Sequence, residues 1–441
     1  MTVARRSRRR RGNPASTDAV RPPLASIAHR TFAALRFRNY RLYLASQLIS
    51  FSGTWMQQLA QSWLVLELTG SGTALGGVLA FQFLPMLILA PVGGLVADRL
   101  DKRRLIAATQ SAAGSVALCL GILTIWGAVE LWMVYALATV LGAVTALDNP
   151  ARQTFVSEMV GAAHLANAIT LNSVTINTAR AVGPAVGGVL IATMGIGPCF
   201  MVNAASYLVV VVSMQLIDGT KLHPTPRAVR ARGQLRQGLR YAWDHPRLRT
   251  TLVMVAVVGL FLFEFPVTFP LLADQTFDVG ASGLAVMEAL FGMGAVGGGL
   301  FVASRGTPTL QRFVKLTLCG SVLALVLAVA PVVFVAYATV PFLGAAMIAT
   351  LVAANALLQV TAEPHLRGRV IALFAMAVLG TTPIGAPLVG WIGEYVDPRA
   401  AVAVGGIAGI AAAGYGMARL RQQAAMERDD QLSPCESAAL S

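Results

Sequence analysis

Residues 73–104 read TALGGVLAFQFLPMLILAPVGGLVADRLDKRR. From Thr73 to Ala97 no side chain is charged, and then Asp98, Arg99, Asp101, Lys102, Arg103 and Arg104 follow at once. An apolar run of about 20 residues is long enough to cross the hydrocarbon layer as a helix. A basic cluster at its end holds that end in the cytoplasm. The same alternation of greasy run and basic punctuation repeats along all 441 residues, of which 56% are hydrophobic and only 12% charged. A soluble chain would carry about 25% charged residues. In lipid the backbone must satisfy its own hydrogen bonds, so spanning segments are helices or closed barrels. These runs lack the strict alternation of barrel strands. The reading is an all-α integral membrane protein.

Working outward from residue 73, twelve spans are expected. They begin near Tyr40, Thr73, Leu105, Leu131, Ala166 and Pro198, then near Leu248, Ser282, Phe313, Val332, Val370 and Ala400. This divides the chain into a basic tail (1–38), a six-helix bundle (39–217), a linker (218–247), a second six-helix bundle (248–418) and a tail (419–441). Within the linker, Leu235, Leu239 and Trp243 recur every fourth residue. That spacing suits a short helix on the membrane surface or a solvated one. Of the 34 Lys and Arg residues, all but Arg180 and Arg399 fall on one side if both termini are cytoplasmic. The outer connections instead carry Glu67, Glu130, Asp274, Asp278, Glu394 and Asp397. A miscount by one helix would mix the two populations, so an even count and inward termini in the inner or plasma membrane are expected. The early arginines have no apolar stretch directly behind them, which argues against a cleaved signal and for a basic tail near anionic lipid.

The halves echo each other. Gly93-Gly94-Leu95 ends the second span and Gly298-Gly299-Leu300 the eighth; Gly183-Pro184-Ala185-Val186-Gly187-Gly188 is answered by Gly385-Ala386-Pro387-Leu388-Val389-Gly390. Both pairs share an offset of roughly six spans, as parallel repeats require.

Several stretches carry a family resemblance. Gly94, Asp98, Arg99, Lys102, Arg103 and Arg104 resemble the signature loop of the major facilitator superfamily, though Asp101 stands where that pattern has a second glycine. Gly183, Pro184, Gly187 and Gly188 resemble the Gly-Pro motif of its proton-linked antiporters. Phe37-Arg38-Asn39-Tyr40 before the first span, Gly53-Thr54-Trp55-Met56-Gln57 within it, Asp148-Asn149-Pro150-Ala151-Arg152 after the fourth span and Leu366-Arg367-Gly368-Arg369-Val370 recur in the drug and siderophore exporters of the superfamily. The resemblance implies two six-helix bundles related by pseudo-two-fold symmetry and transport by alternating access. It further implies export of a small, largely apolar molecule, a drug-like compound or secreted metabolite, with protons as the coupling partner. In that reading the signature-loop residues, with Asp148 and Arg152, serve the cytoplasmic gate.

Charges inside spans are costly and should face a cavity or a partner. Arg180, Glu264 and Glu288 are therefore candidates for proton coupling, because withdrawing a carboxylate from water favours its neutral form. Gln47, Gln58 and Gln61, with Trp55 and Phe81, are candidates for the lining of a substrate cavity. The bland readings are paired structural charges for the first set and core packing for the second.

No catalytic constellation, nucleotide-binding loop or metal-ligand spacing occurs, and the four cysteines are scattered. No enzyme activity, cofactor, metal or nucleic-acid partner is expected; the partners are a small molecule, protons and the bilayer. The rival readings are a coupled or facilitative importer and a non-transporting scaffold or sensor.

Overall fold

The computed structural model describes residues 33–223, 234–306 and 308–439. The arginine cluster of the N-terminal tail lies outside the described residues. The first bundle contains α1 (Arg38–Thr69), α2 (Gly72–Arg99), α3 (Lys102–Ile125), α4 (Leu131–Val160), α5 (Leu165–Met194) and α6 (Gly197–Leu216). The second contains α7 (Pro246–Thr276), α8 (Gly280–Ser304), α9 (Leu310–Ala328), α10 (Val333–Thr361), α11 (Arg367–Tyr395) and α12 (Pro398–Ala439). Each helix begins within a turn of the expected position. Where α1 meets α2 the chain turns sharply: Gly70 adopts φ 62° and its N–H donates to the Leu66 carbonyl, a backbone state that favours glycine.

Among the described residues, eleven helices are long and apolar enough to cross a membrane. The long helix outside that set is α1. Its 32 residues would reach about 48 Å at 1.5 Å per residue, so length is no obstacle. Its glutamines and serines dilute the apolar content. Gln47, Ser46, Ser50, Gln57, Gln61 and Ser62 are all buried, turned toward protein rather than lipid.

The internal repeat is visible in the packing. Within the first bundle α2 lies on α4 and α3 on α6; six helices later α8 lies on α10 and α9 on α12. The glycines singled out in the sequence occupy matching places. A Cβ at Gly93 would strike the Ala146 carbonyl of α4, and one at Gly298 the Ala345 carbonyl of α10. Likewise Gly183 abuts the Ser52 carbonyl of α1, and Gly385 the Leu260 carbonyl of α7. Small residues at these crossings let backbones approach closely, which is how helices associate where lipid offers no hydrophobic drive.

The two bundles meet along α2 with α11 and α5 with α8. At the α1–α2 connection that contact is tight: Gly72 sits against Gly390, Gly76 against Ala386, and Gly188 against Ala285. There Glu394, from the last turn of α11, accepts hydrogen bonds from Ser71 Oγ (2.5 Å) and Thr73 N (2.9 Å). A carboxylate from one bundle thus caps the helix that opens α2 in the other, where the helix dipole favours negative charge. Gln275 Nε2 adds a bond to the Gly70 carbonyl (3.2 Å).

Three local features differ from the sequence expectation. The Asp148–Arg152 stretch, expected after span four, lies inside α4, which runs on to Val160. Pro150 removes one amide, but the helix continues, and the Ala146 carbonyl left without that donor faces Gly93 of α2. Second, α7 breaks at residues 262–264 and α11 at residues 380–381. Third, α12 continues as one helix through the expected tail to Ala439. The linker helix Gln234–Asp244 docks on the start of α11, with Gly238 against Arg369 and Ala242 buried, while Leu239 and Trp243 are exposed.

The Phe37-Arg38-Asn39-Tyr40 stretch fastens the start of α1. Asn39 and the Asp218 backbone exchange two hydrogen bonds (2.9 and 3.1 Å), and Tyr40 donates to the Ala168 carbonyl of α5 (2.7 Å). The exposed Asp218 carboxyl accepts from the hydroxyl and amide of Thr220, which hold it below its ordinary pKa.

Candidate functional site

Where α5 crosses α8, a cavity of about 90 Å³ lies between the bundles, lined by Trp55, Arg180, Phe263, Phe269, Glu288 and Phe291 with Pro184, Phe265 and Pro266. Its existence follows from local sequence. Gly292 lets α8 approach α5 at Arg180 and Ala181, and Pro184 bends no neighbour away because α5 stays helical through it. Two long charged side chains are left facing a wall of rings. Phe265 stacks obliquely on Phe269 (5.0 Å) and on Phe291 (5.0 Å). The Arg180 guanidinium lies 4.4 Å from the centre of the Trp55 ring, a cation–π contact. Its Nε is buried without a hydrogen-bond partner. Glu288 is close enough to act electrostatically on Arg180. In apolar surroundings such a pair is strongly interdependent: neutralising one member leaves the other as an uncompensated buried charge.

The structure therefore brings Arg180, Glu288, Trp55 and Pro184 to one place. Glu264 stands just behind it, 2% exposed, at the break in α7 between Phe263 and Phe265. Gly183 and Gly187 sit against α1 at Ser52–Met56, and Gly188 against Ala285 of α8.

Asp148 and Arg152 are found in a different, fully polar knot inside the first bundle. Asp148 accepts from Thr109 Oγ1 (2.6 Å), Gln110 Nε2 (3.2 Å) and Arg152 Nε. Arg152 also donates to Gln47 and lies 5.4 Å from the Phe51 ring centre. Gln47 thus ties α1 to α4 through its Oε1 and, through Arg152 and Asp148, to α3, while its buried Nε2 has no hydrogen-bond partner. Gln58 and Gln61 line a narrow pocket with Gln57, Gln82 and Tyr207 within the same bundle. Phe81 stacks on Tyr135 of α4, ring centres 4.9 Å apart.

The loop after α2 is held by its own charges. Asp101 caps α3 by accepting from Arg104 N (2.9 Å). That supplies a physical role for the acid standing where the family pattern has glycine. Lys102 pairs with Glu158 near the end of α4. Arg103 Nε donates to the Met214 carbonyl (3.2 Å) in the last turn of α6, where the helix dipole favours a cation. Asp98 has an interaction partner, and Arg99 is exposed. The tight approach to α4 belongs to Gly93, next to Gly94.

Sequence reasoning missed Phe269, Phe291 and the bundle-spanning cap by Glu394. The spacing of Phe265 and Phe269, one turn apart, was the available signal for the ring wall. Glu394 gave none.

Comparison with known proteins agrees with this architecture. The chain is 27% identical over 366 residues to the multidrug efflux pump Tap of Mycobacterium tuberculosis, covering 79% of this chain and 85% of that one. It is 25% identical over 328 residues to the enterobactin exporter EntS of Shigella flexneri, covering 73% of this chain and 77% of that one. Among solved structures, a bacterial homologue of the lysosomal transporter Spinster, in an inward-facing and occupied conformation, superposes with a TM-score of 0.69 at 14% identity. The superposition covers 87% of this chain and 97% of that one, and speaks to the fold. Residues 29–437 match the family described as transmembrane secretion effectors. The packing of the long helices as two repeats, a loop after α2 that resembles the superfamily signature and this match together place the chain in the transmembrane secretion effector family of the major facilitator superfamily.

Proposed function

We propose that this protein exports a small, largely apolar molecule from the cytoplasm by proton antiport. The observation that carries the reading is the cavity between the bundles. It combines a wall of aromatic rings for an apolar cargo with one acid and one base whose charges depend on each other. Supporting it are the family's description as secretion effectors and the efflux and siderophore-export names of its relatives. In this reading α1 is the first of twelve spans and both termini are cytoplasmic. The signature loop and the α3, α4 and α6 ends it fastens then face the cytoplasm. The tight meeting of α2 with α11 and of α5 with α8 closes the outer end, so the molecule is poised to receive cargo from inside. A proton from outside neutralises a carboxylate, Glu288 or Glu264; where Glu288 takes it, Arg180 loses its counter-charge and regains it on release. That gives the cycle two electrostatic states, as rocking of two bundles about a fixed site requires.

The test uses purified protein in proteoliposomes, first screened for cargo by comparing secreted metabolites and toxic-compound tolerance in cells with and without the gene. An imposed pH gradient is expected to drive the cargo against its own gradient, toward the acidic compartment. Movement in the same direction as the protons would identify an importer and overturn the proposal.

A further inference from the structure

We infer that the paired breaks in α7 and α11 form a Na⁺ site, with Glu264 as its anionic ligand. Both helices lose their regular hydrogen bonding where they pack on each other. A Cβ at Gly259 of α7 would stand 2.8 Å from the Ala377 carbonyl and 2.9 Å from Thr381 Oγ1 of α11. The first segment of α7 ends at Phe261, and the amides of Leu262 and Phe263 both donate to the Val258 carbonyl. The carbonyls of Gly259, Leu260 and Phe261 therefore have no helical amide a turn ahead to accept from. A broken helix inside a membrane protein is tolerated where those carbonyls find another partner, and a bound cation is one such partner.

Side chains add the rest of the donor set. Glu264 is 98% buried in effect, at 2% exposure, and its Oε1 has no hydrogen-bond partner. Thr382, at the restart of α11, bonds the Glu264 carboxyl. Thr268 lies one turn on from Glu264, its amide donating to the Glu264 carbonyl (3.1 Å). Its hydroxyl is also buried and unpartnered. Gly385 brings the pieces together: a Cβ there would strike the Leu260 carbonyl and stand 3.0 Å from Glu264 Oε1. Two buried, unpartnered oxygens, Glu264 Oε1 and Thr268 Oγ1, thus belong to residues one helical turn apart beside the break, and the first of them lies at the close crossing of Gly385 with Leu260.

The chemistry of this set selects the ligand. All donors are hard oxygens, which suit alkali and alkaline-earth ions rather than transition metals. Only one carboxylate is present, and among the described residues no basic side chain acts on it. A single negative charge in apolar surroundings is neutralised by a monovalent ion, whereas Ca²⁺ would leave an excess positive charge. Na⁺ is inferred over the larger K⁺ because α7 and α11 cross closely here, with Gly385 against the Leu260 carbonyl and Glu264 Oε1. A proton and Na⁺ compete for the same carboxylate, so Na⁺ binding weakens as pH falls. Its role in a transport cycle rests on the exporter reading; the binding itself does not.

The experiment is a thermal-stability titration of the purified full-length protein in detergent at mildly alkaline pH. NaCl is compared with KCl and choline chloride at matched ionic strength. A saturable rise in Tm of several degrees with Na⁺ alone is expected, since a ligand that binds only the folded state stabilises it by mass action. Thr268→Val, which removes one donor at nearly constant shape, should weaken the apparent Na⁺ affinity about tenfold. Glu264→Gln should abolish the response. An equal effect of K⁺ or choline, or a full Na⁺ response in Glu264→Gln, overturns the site. Either outcome leaves gradient-driven export untouched, and a failure of export leaves this binding result standing.

Discussion

Glu288→Gln is expected to cut gradient-driven transport by about a hundredfold or more, the scale of losing a positioned proton-transfer group. The substitution keeps the size and polarity of the side chain but can neither bind nor release a proton. Glu288 lines the cavity on α8, and its nearest charge of opposite sign is Arg180 on α5. Because α5 and α8 belong to different bundles, in the proposed cycle the pair would couple a protonation event to the contact between them. With glutamine present, Arg180 keeps only its seat over Trp55 in every state. Exchange of labelled cargo across the membrane without a gradient should persist, since the ring wall is intact. Glu288→Asp should retain part of the gradient-driven rate. Wild-type pumping by Glu288→Gln would remove this residue from the coupling step.

Asp148→Ala is expected to destabilise the folded protein by about 3–5 kcal/mol, the cost of leaving one member of a buried ion pair alone. Asp148 and Arg152 are 6% and 9% exposed, and three helices converge on them. Removing the carboxylate strands the Arg152 guanidinium and leaves Thr109 and Gln110 without their acceptor. Asp148→Asn keeps an acceptor for those two and should cost less. Replacing both charges, as Asp148→Leu with Arg152→Met, should recover part of the loss, because no charge is then left buried alone, although Gln110 and Gln47 still lose their partners. Thermal denaturation in detergent reads all three. An unchanged Tm for Asp148→Ala would mean that the knot does not support the bundle.

Much of the fold was legible because its causes are local. Apolar run length fixes where a helix crosses, and basic clusters mark its ends, so every helix start fell within a turn of expectation. The glycine echoes were legible because close backbone crossings admit few other residues, and Gly93 with Gly298 do mark equivalent crossings. α1 is polar for a span because its glutamines meet neighbours distant in sequence, Gln47 accepting from Arg152 and Gln57 from Asn203. The end of α4 was misplaced because Asp148-Asn149-Pro150 looks like a helix terminus, and only tertiary packing keeps the helix going past Pro150. At the site, Arg180, Glu264 and Glu288 drew attention because charge within an apolar run is expensive wherever it lies. Of the rings around them Trp55 was a candidate from the sequence, but Phe269 and Phe291 did not stand out, since phenylalanine is ordinary in a greasy helix. Glu394 was placed in an outer connection, and no local pattern tells that such a carboxylate reaches the opposite bundle.

The central claim is that the two bundles close one end of the molecule while opening the other. Spin labels at Leu68→Cys and Tyr395→Cys report the end latched by Glu394, and labels at Arg99→Cys and Arg367→Cys report the opposite end. Distances measured by pulsed electron paramagnetic resonance in lipid nanodiscs should fall into two populations. In one, the first pair is close and the second far apart; in the other the order is reversed. Glu394→Gln, which weakens the cap on α2, should shift molecules toward the reversed population. Distances that lengthen or shorten together at both ends, or one end that moves while the other stays fixed, would contradict the account.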